Sequence, residues 1–331
     1  MKDNFWKKLK RPFFVLAPMA NVTDWAFRKI IIKCGRPDVL YTEFLSCDGI
    51  IRDNKRFEKE LYFEKGEKPI VVQFFGSKPD NFYKCAQLAH ELGYDGIDIN
   101  MGCPDKSIEK QGAGAALIKN PELAKEIIKQ TKRGAGKLPV SVKTRIGYNK
   151  IEIKEWIPKL LEMEPAAITI HGRTRKEMSK VPAHWDEIGL SAEMAKGTET
   201  LIIGNGDVID LEDAGQKAKK YGLDGIMVGR GIFANPWFFN EKVDIKEIKP
   251  EQKIELMLEH VDNFLKLWGE PLSGGKNLDT LKKFFKVYIS GWPARPACAG
   301  LASRLGAKEL RIKLMTAKNK QDIVDILFKE S

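Results

Sequence analysis

Short apolar runs rich in β-branched and aromatic residues recur through the first two thirds of the chain, at 13–19, 39–44, 70–76, 96–102, 140–145, 167–173, 201–207 and 225–231. Runs of this length, bounded by turn residues, predict buried strands. Between them lie amphipathic stretches of helical length, among them 80–92, 121–131 and 211–221. Asp80 and Asp210 stand where helix N-caps belong, and Gly93 and Gly222 stand where helices stop. Strands that alternate with helices are parallel and joined by crossover helices, and eight of them close a (β/α)8 TIM barrel.

From about residue 251 onward the period becomes helical. Ile254, Met257, Leu258, Val261 and Leu265 form one stripe, Leu301, Leu305 and Leu314 belong to later ones, and prolines punctuate this half. The pattern predicts an α/β barrel domain at 1–240 and a small C-terminal helical domain at 250–331. With 43% hydrophobic and 31% charged residues, the 331-residue chain can bury a sizeable core. No apolar stretch approaches the ~20 residues of a membrane span, and no signal peptide is visible. Five cysteines, an odd number without a CxxC pair, speak for a reducing compartment and against a disulfide framework or a cysteine zinc site. The four histidines are scattered without ligand spacing, so no metal site is expected. These features predict a cytoplasmic protein, with a monomer as the expected state.

Net charge is +11, and its distribution matters more than its sum. Residues 281–320 hold ten Lys/Arg and a single acidic residue, Glu309. That is the electrostatic footprint of a polyanion binder, with a solvated helix face as the alternative.

Chemistry in a TIM barrel gathers where the strands finish. The strand ends here read Ala17-Pro18-Met19-Ala20, Gln73-Phe74-Phe75-Gly76, Asn100-Met101-Gly102-Cys103-Pro104, Lys143-Thr144-Arg145, His171-Gly172-Arg173-Thr174, Asn205-Gly206-Asp207 and Gly229-Arg230-Gly231. Burying Lys143, Arg145 or His171 without partners would cost several kcal/mol, so together they mark a site. Glycines after the last two strands let backbone N–H groups approach a phosphate. The segment from Gly229 to Ala234 also fits the dinucleotide fingerprint GxGxxA, but a Rossmann fold places that after its first strand; a phosphate cradle or a plain tight turn are the readings left. Lys143 is a cation suited to an anionic reduced ring such as a reduced flavin. Cys103, on a Gly-Cys-Pro turn ahead of the Gly-rich segment 112–116, carries a thiol mostly protonated at neutral pH, able to donate a proton as well as to attack.

In order and spacing, these segments across residues 10–240 resemble the tRNA-dihydrouridine synthases, most specifically in Asp98-Ile99-Asn100-Met101-Gly102-Cys103-Pro104 and His171-Gly172-Arg173-Thr174. The resemblance implies an FMN enzyme that reduces the C5=C6 bond of specific uridines in tRNA with NADPH or NADH. Pro18, Met19 and Ala20 would pack at the flavin ring. Gln73 and Lys143 would bond its pyrimidine edge, and His171 would lie beside the ring or phosphate. Asn205, Gly206, Asp207, Gly229 and Arg230 would hold the ribityl chain and phosphate. Cys103 would protonate C5 and Asn100 would face the uracil, with Arg145 at the substrate or the flavin tail. Lys282, Lys283 and Lys286 on one helix, and Arg304, Lys308 and Arg311 on another, would grip tRNA phosphates.

Two departures bear on RNA contacts more than on flavin. Glu177 and Met178-Ser179 stand where many relatives carry a Gln and a Tyr, and Lys282-Lys283-Phe284-Phe285 lacks a basic-aromatic pattern of some subgroups. The nearest alternative is a dihydroorotate-dehydrogenase-like FMN barrel acting on a free pyrimidine, which needs no basic tail. A non-catalytic RNA chaperone would not need Lys143, Cys103 and the cradle glycines. An aldolase with a Schiff base at Lys143 would leave Cys103 and Gln73 idle.

Overall fold

The computed structural model describes residues 4–269, 276–289 and 306–328. Eight parallel strands, β1 (Phe13–Leu16), β2 (Leu40–Ser46), β3 (Ile70–Phe75), β4 (Gly96–Met101), β5 (Val140–Arg145), β6 (Ala167–His171), β7 (Leu201–Asn205) and β8 (Gly225–Val228), form one sheet in the order β1-β8-β7-β6-β5-β4-β3-β2. A bridge between Val15 and Val39, with the Leu16 N–H donating to the Val39 carbonyl at 3.1 Å, joins the two edges and closes the (β/α)8 TIM barrel. Helices α1 (Trp25–Cys34), α2 (Cys47–Arg52), α3 (Pro79–Glu91), α4 (Lys106–Glu109), α5 (Pro121–Ala135), α6 (Ile153–Leu161), α7 (Trp185–Ala195) and α8 (Leu211–Lys220) alternate with the strands. The helices α9 (Pro250–Trp268), α10 (Asp279–Tyr288), α11 (Ala307–Thr316) and α12 (Lys320–Phe328) follow. None of the described helices is long and apolar enough to cross a membrane.

The strands are buried on both faces, which is why they read as continuous apolar runs rather than alternating ones. Inside the barrel the composition changes along each strand. Trp6, Phe13, Val39, Val71, Ala167 and Leu201 share one apolar cluster, with Trp6 stacked on Phe5 and tilted against Phe13. Towards the C-terminal ends polar side chains take over: Gln73, Asn100, Lys143, Arg145, His171 and Asn205.

Several strands end earlier than their apolar runs. β1 stops at Leu16 because residues 17–23 form a turn, in which the N–H groups of Val22 and Thr23 donate to the Met19 carbonyl and the Met19 N–H donates to Thr23 Oγ1 at 3.0 Å. β7 stops at Asn205 because Gly206 and Asp207 adopt positive φ, 128° and 46°. β6 and β8 likewise end at His171 and Val228. The N-cap of α3 is Lys78 rather than Asp80: Pro79, pre-set for the first helical position, moves the start forward and leaves Asp80 in the first turn. Asp210 does cap α8, accepting from the Asp213 N–H at 2.8 Å, and Gly93 and Gly222 follow their helices at positive φ. In α9 the buried stripe runs through Ile254, Met257, His260, Val261, Phe264 and Trp268, while Leu258 and Leu265 are half-buried.

The compact units do not follow chain order. One comprises Met1–Thr23 and Pro37–Gly231; the other comprises Asp24–Arg36 and Ile232–Ser331. Within the second, α1 packs on α9: Lys33 pairs with Glu259, and Trp268 Nε1 donates to Asp24 Oδ2 at 3.1 Å. His260 and Tyr288 share a buried hydrogen bond of 2.9 Å beside Phe27 and Phe284.

In the barrel unit, α3 and α5 approach so closely that a Cβ on Gly134 would lie 2.1 Å from the Tyr83 carbonyl oxygen. Gly215 on α8 faces open space. Gly134→Ala is therefore expected to destabilise by roughly 2–4 kcal/mol through overpacking, despite the better helix propensity of alanine. Gly215→Ala should stabilise by up to about 1 kcal/mol. Paired denaturant melts check both signs.

Candidate active site

A cavity of about 550 Å3 opens at the C-terminal ends of the strands, a size typical of small-molecule sites. Its wall brings together Pro18, Met19, Lys143, Arg145, His171 and Asn205. It continues through Gly206, Asp207, Gly229 and Arg230. The Lys143 ammonium donates to Asn205 Oδ1 at 3.2 Å. Asn205 is oriented for that task because its Nδ2 is committed to the Met227 carbonyl at 2.8 Å. Burial, and secondarily the neighbouring Arg145, push the Lys143 pKa down to about 8. Lys143 thus remains mostly charged at neutral pH, at a cost.

His171 is neutral. Its buried setting, together with the charges of Arg145, Lys143, Arg173 and Arg230, holds its pKa well below the usual histidine value. Arg173 Nη1 lies 3.2 Å from His171 Nε2, and a guanidinium can only donate. Nε2 is therefore the acceptor, and the proton is assigned to Nδ1 from this network.

Asp207 gathers the cations at the cradle. It accepts from Arg173, from Arg230 Nη2 at 3.2 Å and from the Ala183 N–H at 2.9 Å. Burial pushes its pKa up, but the hydrogen bonds and positive neighbours outweigh that and hold it below the usual carboxylate range. Gly206 has to be glycine: besides its positive φ, a Cβ there would sit 2.9 Å from the Ala183 side chain and 3.2 Å from the His171 ring.

Next to this cavity runs a buried polar row. Asn100 Nδ2 donates to Gln73 Oε1 at 2.9 Å, and Asn100 Oδ1 accepts from the N–H groups of Gly102 (3.1 Å) and Cys103 (2.9 Å). Those bonds shape the turn that carries Cys103. Gly114, at φ 61°, packs on its far side, where a Cβ would meet the Cys103 carbonyl oxygen at 2.7 Å. Cys103 is half-buried. Burial raises its thiol pKa above the ordinary value, so the group is a protonated acid at neutral pH, within electrostatic reach of Arg145 and Lys143.

A sequence profile of the dihydrouridine synthase (Dus) family matches residues 15–317. The chain belongs to that family. A "Probable tRNA-dihydrouridine synthase" of Staphylococcus aureus (strain COL) is 40% identical over 326 residues, covering 96% of this chain and 93% of the relative. "Probable tRNA-dihydrouridine synthase 2" of Bacillus subtilis (strain 168) is 40% identical over 334 residues, covering 99% and 96%. Membership of the dihydrouridine synthase family makes the protein a flavin-dependent oxidoreductase. In fold, the chain is similar to a 2-naphthoyl-CoA reductase (TM-score 0.54, 11% identity, 73% of this chain and 52% of that one). It is also similar to histamine dehydrogenase from Rhizobium sp. 4-9 (TM-score 0.51, 12% identity, 76% and 48%). This chain thus spans about half the length of either solved structure.

The residues fit a flavin. The cavity is lined by the cation Lys143, by glycines at two strand ends and by an exposed Arg230. Among the remaining residues expected at the site, Ala20 is exposed just beyond Met19, while Gln73 and Asn100 are buried in the adjoining row and Cys103 neighbours the lining residue Pro104. Arg145 spends its donors on the backbone: Nε on the Gly102 carbonyl at 2.7 Å, and Nη1 on the carbonyls of Thr174 (3.1 Å) and Met178 (3.0 Å). In the second unit, Lys282 pairs with Asp279 at 2.6 Å and Lys283 lies over the Phe284 ring. Lys286, Lys308 and Arg311 are exposed, and Arg304 lies outside the described residues. Arg173 had no assigned role in the sequence, although it is the cation that joins His171 to Asp207; its position two residues beyond an inward-facing strand-end histidine was the available signal.

Replacing the half-buried cation tests its cost. Lys143→Met is expected to stabilise the flavin-free protein by about 1–3 kcal/mol at pH 7. The unfolded lysine keeps its ordinary affinity for protons, so the gain should shrink as pH rises from about 8 towards 10.5. Denaturant melts at pH 7 and pH 10 measure it.

Proposed function

We propose that the protein is a tRNA-dihydrouridine synthase that reduces the C5=C6 bond of uridine in tRNA, with FMN in the cavity and NADPH or NADH as reductant, acting in the cytoplasm as a monomer. The observation that carries this reading is the placement of a protonated thiol, Cys103, beside a cation-lined cavity at one barrel mouth. When bound, FMN supplies the hydride for C6 of the uracil and is itself recharged by the nicotinamide.

The chain's own residues do the rest. Pro18, Met19 and Ala20 pack against the ring. Gln73 and Lys143 bond its pyrimidine edge, and the ammonium offsets negative charge there. Asn205, Gly206, Asp207, Gly229 and Arg230 hold the ribityl chain and phosphate, where Asp207 keeps Arg230 in place. Neutral His171, protonated on Nδ1, serves the flavin as a donor without adding charge. Asn100 faces the uracil, and Cys103 delivers its thiol proton to C5, to be restored from water. Arg145 holds the loop after β6 over the cavity through its two carbonyl contacts there.

The target base has to leave its stack to reach a group in a barrel mouth. The C-terminal helices α9–α12 supply the grip on tRNA. Their exposed cations Lys286, Lys308 and Arg311 are free to meet phosphates, whereas Lys282 is committed to Asp279. Such a grip is salt-sensitive.

Cys103→Ala should cut dihydrouridine formation by ~10²–10⁴-fold, the usual worth of a general acid, while leaving bound flavin unchanged. Nucleoside mass spectrometry of unmodified tRNA after incubation, alongside the flavin absorbance of the variant, checks both halves. Undiminished turnover would remove Cys103 from the mechanism.

A further inference from the structure

The polar row beside the cavity extends beyond Gln73 to a carboxylate. β4 carries Asp98 and Asn100 two residues apart, on the same inward face. Register pairs Asp98 with Gln73 of β3 on one side and with Ser141 of β5 on the other. Asp98 is fully buried. Its Oδ2 accepts from Gln73 Nε2 at 2.6 Å and its Oδ1 from Ser141 Oγ at 2.5 Å.

A side-chain amide has a donor end and an acceptor end of nearly equal shape, so its partners decide which way it points. An ionised carboxylate only accepts. Gln73 must therefore turn its NH2 to Asp98 and its carbonyl to Asn100. Asn100, asked to donate there, keeps its own carbonyl for the N–H groups of Gly102 and Cys103. One buried carboxylate thus sets the sense of every bond up to the thiol-bearing turn. It also leaves each amide one further N–H, so both are donors towards whatever they meet.

We propose that Asp98 is a positioning residue: through Gln73 and Asn100 it sets the hydrogen-bond polarity of the row and so holds the Cys103 turn in place. Burial raises the carboxyl pKa to about 6 against the pull of Ser141, Gln73 and Lys143, which leaves it ionised at neutral pH. The relevance to catalysis rests on Cys103 being the acid of the reduction; the polarity relay itself does not.

Asp98→Asn separates polarity from charge. Its amide oxygen can still accept from Gln73, while its NH2 donates to a Ser141 hydroxyl rotated to accept. Asp98→Ala removes the signal altogether. The first readout is labelling of Cys103 by iodoacetamide in flavin-free protein, followed on its own peptide by mass spectrometry; the second is the kcat and KM split for tRNA reduction, with thermal melts giving the folded fraction.

Asp98→Ala should speed Cys103 labelling at least threefold and lower kcat at least tenfold, with KM for tRNA moving less than threefold. Asp98→Asn should stay within threefold of the parent on both readouts. Equal effects of the two substitutions would overturn the proposal in favour of a charge effect, and an unchanged labelling rate in Asp98→Ala would overturn it outright. If that variant does not fold, Gln73→Met cuts the same row one link further up and must give the same faster labelling; failure to do so also overturns the proposal. If the parent enzyme did not reduce tRNA, only the kinetic arm would be lost, so the two readings fail separately.

Discussion

The structure is governed by the cost of placing cations inside a barrel. Over a few residues per strand, the interior passes from Phe13, Val39 and Val71 to Lys143, Arg145 and His171. Low-dielectric surroundings penalise each charge unless a partner meets it. Arg145 is satisfied by three backbone carbonyls, and Arg173 by Asp207, His171 and the Val181 carbonyl. Lys143 has a neutral amide oxygen as its hydrogen-bond partner. The cavity wall therefore holds more positive than negative charge, and its remaining demand is for an anion. A flavin with its phosphate meets that demand, and burial, together with the same field, keeps His171 neutral.

On the proposed reading, the thiol and the cation divide the work. Cys103 is kept protonated by burial, and Lys143 is kept charged at the expense of stability. Each group is tuned in the direction its task requires: a donor that retains its proton, and a cation that remains charged. Stability sacrificed at such positions is a common cost of function.

Much of this was legible in the sequence because it breaks a simple rule. Buried parallel strands ought to be apolar to their ends, so Gln73, Asn100, Lys143, His171 and Asn205 stood out by position alone. The eight strands were legible from run length and spacing, with β5 matching to the residue. Boundaries elsewhere were set by events the pattern does not carry: positive φ at Gly206 and Asp207, the Met19–Thr23 turn, and the proline that starts α3 one residue before Asp80. Partners distant in sequence were also invisible, such as Arg145 with Met178, Asp98 with Gln73, and α1 with α9.

The central claim is that one barrel mouth holds a flavin whose electrons go to uridine in tRNA. The most direct measurement is the visible spectrum of the purified protein under anaerobic conditions, first with NADPH and then with unmodified tRNA. The account predicts a flavin spectrum that bleaches with NADPH and returns on adding tRNA, with no return when the tRNA already carries dihydrouridine. A bleached spectrum restored by a free pyrimidine or a quinone but not by tRNA would contradict it, as would a protein that stays colourless after FMN is added.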